Sequence, residues 1–190
     1  QAKVVVDTTP HAAVAALAGR PFPYPEVYTG SHPRVAGVDI HALLQYVQDH
    51  PNDVQIDGQE EGDLAFYESL VEKGITLRVR GFAKVRRRAI QEDPTFEITG
   101  RGEDRSFVFL YDRDGCGVYW IHSVEWRHAT LDDPQRLSRA SAEMRKRQWL
   151  THKLFRDYVP GFETAHLVDV LPHISRALVQ SHDPGGFTEY

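Results

Sequence analysis

Apolar residues recur at helical spacing in three segments of the chain, and each segment predicts an amphipathic helix. In the first, which Asp39 would cap and Pro51 would end, the apolar face holds Ile40, Leu43, Leu44 and Val47. In the second, followed by Gly74, the stripe is Leu64, Tyr67, Leu70 and Val71. The third and strongest begins at Pro134 and runs to about Tyr158, with Leu137, Ala140, Met144, Thr151, Phe155 and Tyr158 near helical spacing.

Runs of β-branched and aromatic residues outside these helices predict strands. The runs are "RVAGV", "ITLRVR", "TFEITG", "SFVFLYD", "GVYWIHSVEW" and "TAHLVDVLP", with the third to fifth expected as an antiparallel meander. Two further stretches are less regular: "RPFPYPEVYTGSHPR" predicts an extended connector, and "FAKVRRRAI" fits a helix or a strand with a solvated arginine face. The order of elements predicts an α+β fold, with an antiparallel β-sheet and amphipathic helices packed on one face.

The first nineteen residues have a pattern of their own. Val4–Val6 predicts a short buried strand, and the alanine-rich stretch after Pro10 predicts a helix that ends at Gly19. Nucleotide-binding folds place their ligand at such a strand-turn-helix junction, although the turn here lacks glycines. The last ten residues, "SHDPGGFTEY", predict a loose, turn-rich tail.

Composition narrows the possible classes of protein. The chain has 190 residues, a net charge of -5 and 41% hydrophobic residues, which indicates a globular protein and gives no sign of a nucleic-acid partner. Its apolar runs are too short for a membrane span, so a soluble protein is expected, and a cytoplasmic location with it. Cys116 is the single cysteine, which excludes an internal disulfide, and a plain turn position is favoured for it over a reactive thiol.

Local motifs for catalysis are weak. The pairs Gly100/Gly102 and Gly115/Gly117 lack a third glycine and a following helix, so both are read as hairpin turns. Four histidines near strand ends or the late helix could converge in space, namely His122, His128, His166 and His173, but their spacing matches no metal motif. No metal site is therefore predicted, and a histidine metalloenzyme ranks last among the functions considered.

Several segments taken together resemble the FAD-dependent oxidoreductases of the glutathione-reductase-like type. "DTTPH" followed by "AAVAALAG" occupies the place of that family's strand-turn-helix, with Pro10 where the family has Gly. "VAGVDIHALLQYVQDHPND" is similar to its Gly-Val-Asp, helix and His-Pro segment. "GVYWIHSVEWRHATLDDPQRLSRASAEMRKRQ" and "LFRDYVPGFETAHLVDVLPHISRA" resemble its strand, long helix and substrate-side strand.

The resemblance implies a division at residue 19. Residues 1–19 would be a remnant of a nucleotide-binding domain, in which Asp7 and Thr9 would contact FAD, and residues 20–190 a substrate-binding, cap-like domain. In the complete enzyme the flavin would accept a hydride. Arg176 would then bind an anionic substrate group or the flavin, and His173 would transfer a proton. The expected partners are a small-molecule substrate and the FAD-binding domain of the same protein. The alternative is a flavin-free module that binds a small molecule or a protein.

Overall fold

The computed structural model of the chain describes most of the residues between 27 and 178. The described ranges are 27–30, 33–58, 62–100, 107–112, 118–122, 125–126, 134–170 and 175–178, together with residues 6, 14 and 17–19. The α-helices are α1 (Ile40–Asp49), α2 (Leu64–Glu72), α3 (Ala83–Glu92) and α4 (Pro134–Tyr158), and a 3₁₀ helix spans Pro94–Ile98.

The strands form two antiparallel sheets. Their bounds are β1 (Val27–Gly30), β2 (Pro33–Ala36), β3 (Val54–Ile56), β4 (Leu77–Gly81), β5 (Phe107–Asp112), β6 (Val118–His122), β7 (Glu125–Trp126), β8 (His166–Val170) and β9 (Ser175–Leu178). The larger sheet has six strands in the order β3-β4-β5-β6-β2-β8, and the smaller has three in the order β7-β1-β9. The predicted α+β class and the antiparallel sheet are confirmed.

The two faces of the larger sheet differ in polarity. On β3 and β4 the residues Val54, Ile56, Leu77 and Val79 are buried, whereas Gln55, Arg78 and Arg80 between them are exposed. Asp57 pairs with both arginines on the exposed face, at 3.0 Å from Arg78 and 2.6 Å from Arg80. Because the apolar side chains of β3 and β4 point to one face, the amphipathic helices pack on that face, as the period-two pattern predicts.

Helix α1 begins after its predicted cap Asp39, whereas α2 begins at Leu64, inside the predicted segment "EEGDLAFYESLVEKG". The side chain of Asp39 accepts a hydrogen bond from the backbone N–H of Ala42 at 3.1 Å, and Asp63 accepts one from Phe66 at 2.8 Å. Each cap satisfies an N–H group that the first turn of a helix leaves without a partner. The predicted apolar stripes of both helices are buried or half-buried.

Phenylalanine rings form the centre of the core. The ring of Phe155 on α4 lies 5.1 Å from Phe82, 5.0 Å from Phe107 and 5.0 Å from Phe162, measured between centroids. Each of these four side chains is fully buried. Helix α4 is therefore anchored in the core at its C-terminal half, which positions the rest of its buried face.

Two predicted extended segments are corrected by the structure. "TFEITG" was expected as a strand but lies mostly in the 3₁₀ helix, because Pro94 starts a tight turn and the Asp93 side chain accepts a hydrogen bond from the N–H of Thr95 at 2.9 Å. The Pro-rich connector contains strand β1, which pairs with β7 and β9. Proline excludes a helix but still permits such an extended strand.

The ambiguous segment "FAKVRRRAI" lies in helix α3, and its arginines do not form one solvated face. Arg87 and Arg88 are exposed, but Arg86 is buried. Its guanidinium donates hydrogen bonds to the carbonyl oxygens of Thr99 at 2.8 Å and Glu97 at 2.6 Å. Arg86 thus satisfies carbonyl groups at the end of the 3₁₀ helix, a structural role that a charge count does not reveal.

The predicted strand-turn-helix at residues 1–19 lies mostly outside the described residues. Val6 is 79% exposed and is not in a strand, so the expected buried strand is wrong at that residue. Val14 and Leu17 are helical, and Gly19 has a positive φ of 68°, in agreement with a helix that ends there. The tail at 181–190 lies outside the described residues.

Candidate binding site

Helix α4 is long, and its outward side is held by ion pairs one turn apart. Glu143 pairs with Arg147 at 3.4 Å, and Lys153 pairs with Asp157 at 2.8 Å. Such pairs stabilise a helix from its solvent side. The inward side is buried over several turns, from Ala140 to the last turn of the helix.

Three polar side chains interrupt this buried face. Gln148 and Thr151 are fully buried and His152 is 8% exposed, while their neighbours on the same face, Met144 and Phe155, are apolar. Positions 148, 151 and 152 are related by i, i+3 and i+4, so their side chains lie beside one another on one side of the helix. We call Gln148, Thr151 and His152 the polar triad.

Four of the five side-chain hydrogen-bonding atoms of the polar triad have no protein partner within the described part of the chain. These atoms are Nε2 and Oε1 of Gln148, Oγ1 of Thr151 and Nδ1 of His152. A buried donor or acceptor without a partner costs about 1–3 kcal/mol, and most buried polar side chains in proteins avoid that cost. A threonine hydroxyl in a helix usually bonds the carbonyl one turn back, which makes the unbonded Thr151 hydroxyl unusual.

His152 is held in its neutral form. Burial lowers the pKa of its imidazole, and the charges of Arg156 and His166 lower it further, with Asp157 acting in the opposite direction. The side chain of Asp157 is already paired with Lys153 at 2.8 Å and Arg156 at 2.9 Å. The polar triad therefore presents uncharged donors and acceptors at neutral pH.

The residues to which the family resemblance assigns FAD and substrate contacts are not part of the polar triad. Asp7, Thr9 and His173 lie outside the described residues. Arg176 lies in β9, where its backbone is opposite Thr29 of β1 in the smaller sheet, whereas the polar triad is on α4. The proposed FAD and substrate contacts of these four residues stay predictions.

Within the described residues, the four histidines considered as metal ligands do not form a cluster. His166 is the first residue of β8, opposite Ala36 of β2, and His122 is the last residue of β6. His128 and His173 lie outside the described ranges. No cluster of three metal-ligating side chains occurs in the part of the chain that the structure describes.

The sequence predictions do not include the polar triad, although the sequence carries a signal for it. Thr151 is predicted as a core residue in the apolar stripe of the third helix, and no role is predicted for Gln148 or His152. A polar residue at a core position of an otherwise apolar stripe indicates a buried polar function or a conflict in packing. Three such positions within five residues could therefore have marked the site.

The comparisons with known proteins identify no relative. No family model, no curated protein and no solved structure matches the chain. Among the described residues, no helix is both long enough and apolar enough to cross a membrane. The function must therefore be argued from the chain's own side chains.

Proposed function

We propose that this chain is a flavin-free small-molecule-binding domain, with a ligand site on the inward face of α4 at the polar triad. The observation that carries the proposal is Gln148, whose side chain is fully buried while both of its amide heavy atoms lack a partner. The amide is closed off from solvent in the ligand-free chain, so a ligand would displace packed side chains to reach it. It would then accept from Nε2 and donate to Oε1, and these hydrogen bonds would remove the cost of burying the two atoms.

The composition of the triad suits recognition of a polar ligand. An amide, a hydroxyl and a neutral imidazole can each donate or accept a hydrogen bond, so they can match the polar groups of a small molecule in a defined orientation. Met144 is buried beside the triad on the same face and would contact the apolar part of a ligand, whereas the ring of Phe155 is already packed against three phenylalanine rings. Small-molecule sites commonly combine an apolar lining with a few such placed polar groups.

Buried water is the other way to satisfy the same atoms. An ordered water typically makes about three hydrogen bonds to buried polar groups and is found in many folded proteins. Water bound at the triad would make the site structural. The experiment must therefore distinguish an exchangeable ligand from water alone.

The test is a thermal-shift screen of neutral polar fragments against three proteins. The wild-type chain is compared with Gln148→Met and with Gln48→Met, a control at an exposed position of α1. A ligand that binds only the native state stabilises it by RT ln(1 + L/Kd), where L is the free ligand concentration, so the melting temperature rises with ligand concentration. We expect fragments that stabilise the wild type and the control but leave Gln148→Met unchanged. The proposal is wrong if no fragment distinguishes Gln148→Met from the control.

The second candidate is the substrate-binding part of an FAD-dependent oxidoreductase. It is supported by the order of the segments that resemble that family, since the segments 117–148 and 154–177 include most of α4. In that case the ligand at the triad would be the molecule that the flavin oxidises. Its test is visible absorption after incubation of the chain with excess FAD and removal of the unbound cofactor. A retained flavin spectrum supports this candidate, and a colourless protein supports the flavin-free form.

A further inference from the structure

Gln148 has the most specific chemistry in the polar triad. A carboxamide presents a donor and an acceptor side by side in one plane, and both are unpartnered here. The group that complements both at once is another planar edge with an adjacent acceptor and donor. Primary carboxamides and lactams have that edge, whereas a carboxylate only accepts and an amidinium only donates.

The charges near the triad also select against an ionic ligand. Arg156 and Asp157 both act on His152, but they pair with each other at 2.9 Å, and Asp157 also pairs with Lys153 at 2.8 Å. An anion or a cation at fully buried Gln148 would meet no opposite charge within the triad itself. Burial of an unpaired ion is far more costly than burial of a hydrogen-bonded neutral group.

We propose that the ligand of the polar triad is a neutral molecule that pairs a carboxamide or lactam edge with the side-chain amide of Gln148. This inference rests on the proposed small-molecule function and names its ligand class. Thr151 and His152, one turn along the same face, bond a further polar atom of the ligand. The hydrogen bonds to Gln148 orient the ligand, and Met144 contacts its apolar part.

The test uses three probes of the same size and shape: acetamide, acetate and acetamidinium. Each is titrated into the ¹⁵N-labelled 190-residue chain, and the side-chain NH₂ signals of Gln148 are followed by NMR. These signals are assigned as the pair missing from the spectrum of Gln148→Met. We expect acetamide to shift them in a saturable way, with a Kd in the millimolar range and at least about tenfold lower than that of either ion.

The outcomes separate this inference from the proposed function. If acetate or acetamidinium saturates the Gln148 signals and acetamide does not, the site binds small molecules but the neutral ligand class is wrong. If none of the three probes shifts the signals, both the ligand class and the site are contradicted. Thr151→Val gives a second check, because loss of the hydroxyl should weaken acetamide binding about tenfold or less while the Gln148 signals remain visible.

Discussion

Replacement of Gln148 by methionine should stabilise the ligand-free chain, which is the reverse of the usual effect of a core substitution. Methionine matches glutamine in length, is unbranched and has a similar helix propensity. The new side chain would lie between Met144 and Phe155 on the buried face of α4. The substitution therefore removes two unpartnered polar atoms and preserves most of the volume.

The magnitude follows from the burial of the amide. Gln148 has 0% exposure and neither of its amide heavy atoms has a partner, so the native state carries the desolvation cost of the group. Removal of that cost should raise the free energy of unfolding by about 1–3 kcal/mol. For a chain of this size each kcal/mol corresponds to about 2–4 °C, so the melting temperature should rise by roughly 2–12 °C.

Urea and thermal unfolding measure this change. Both variants and the wild type are refolded from urea and dialysed first, because a retained ligand would stabilise the wild type by mass action. Gln48→Met, at an exposed position, should change the free energy of unfolding by no more than about 0.5 kcal/mol. A loss of 1 kcal/mol or more in Gln148→Met alone would refute the reasoning, since it would mean that Gln148 has partners in the folded protein.

Three further predictions concern the fold around the site. Gly161 has φ 92°, and an added Cβ would collide with the carbonyl oxygen of Asp39, so Gly161→Ala should lower the free energy of unfolding in urea by at least about 2 kcal/mol. The loss should be larger than for Gly58→Ala, where φ is also positive but the space is open. Phe155→Ala should cost about 3–5 kcal/mol in the same assay, because it leaves a cavity among three phenylalanine rings; a loss below 1 kcal/mol would place Phe155 outside the core. Since burial lowers the pKa of His152, the unfolded chain binds a proton at this residue more readily, and the stability of the protein should fall as pH drops below about 6.5. The stability of His152→Gln should fall less over the same pH range, and an identical pH profile of the two proteins would contradict this.

Much of the fold follows from local pattern. Helices α1 and α2 have an apolar stripe, an aspartate cap and a breaker close behind, and these signals agree with one another. The wrong predictions have two causes: a local turn at Asp93 and Pro94 replaces the strand expected at "TFEITG", and long-range pairing makes β1 a strand. The segment of β1 looked like a connector because its strand partners, β7 and β9, are about 100 and 150 residues away in the chain.

The site was harder to predict than the fold. The residues assigned by resemblance came from motifs at the two ends of the chain, and only the backbone of Arg176 among them lies in the described structure. The spacing of the polar triad matches no known catalytic or metal-binding motif. What distinguishes the triad is that its polar atoms lack hydrogen-bond partners, and this depends on which residues pack against α4. A sequence shows that Gln148 is polar at a core position, but only coordinates show that its amide is unbonded.

A high-resolution crystal structure of the chain soaked with acetamide tests the central claim most directly. We predict that the Gln148 side-chain amide bonds no protein group and that acetamide lies in its plane, with two hydrogen bonds of about 2.9 Å. Density for ordered water alone at that amide, or hydrogen bonds from Gln148 to neighbouring protein groups, would contradict the account.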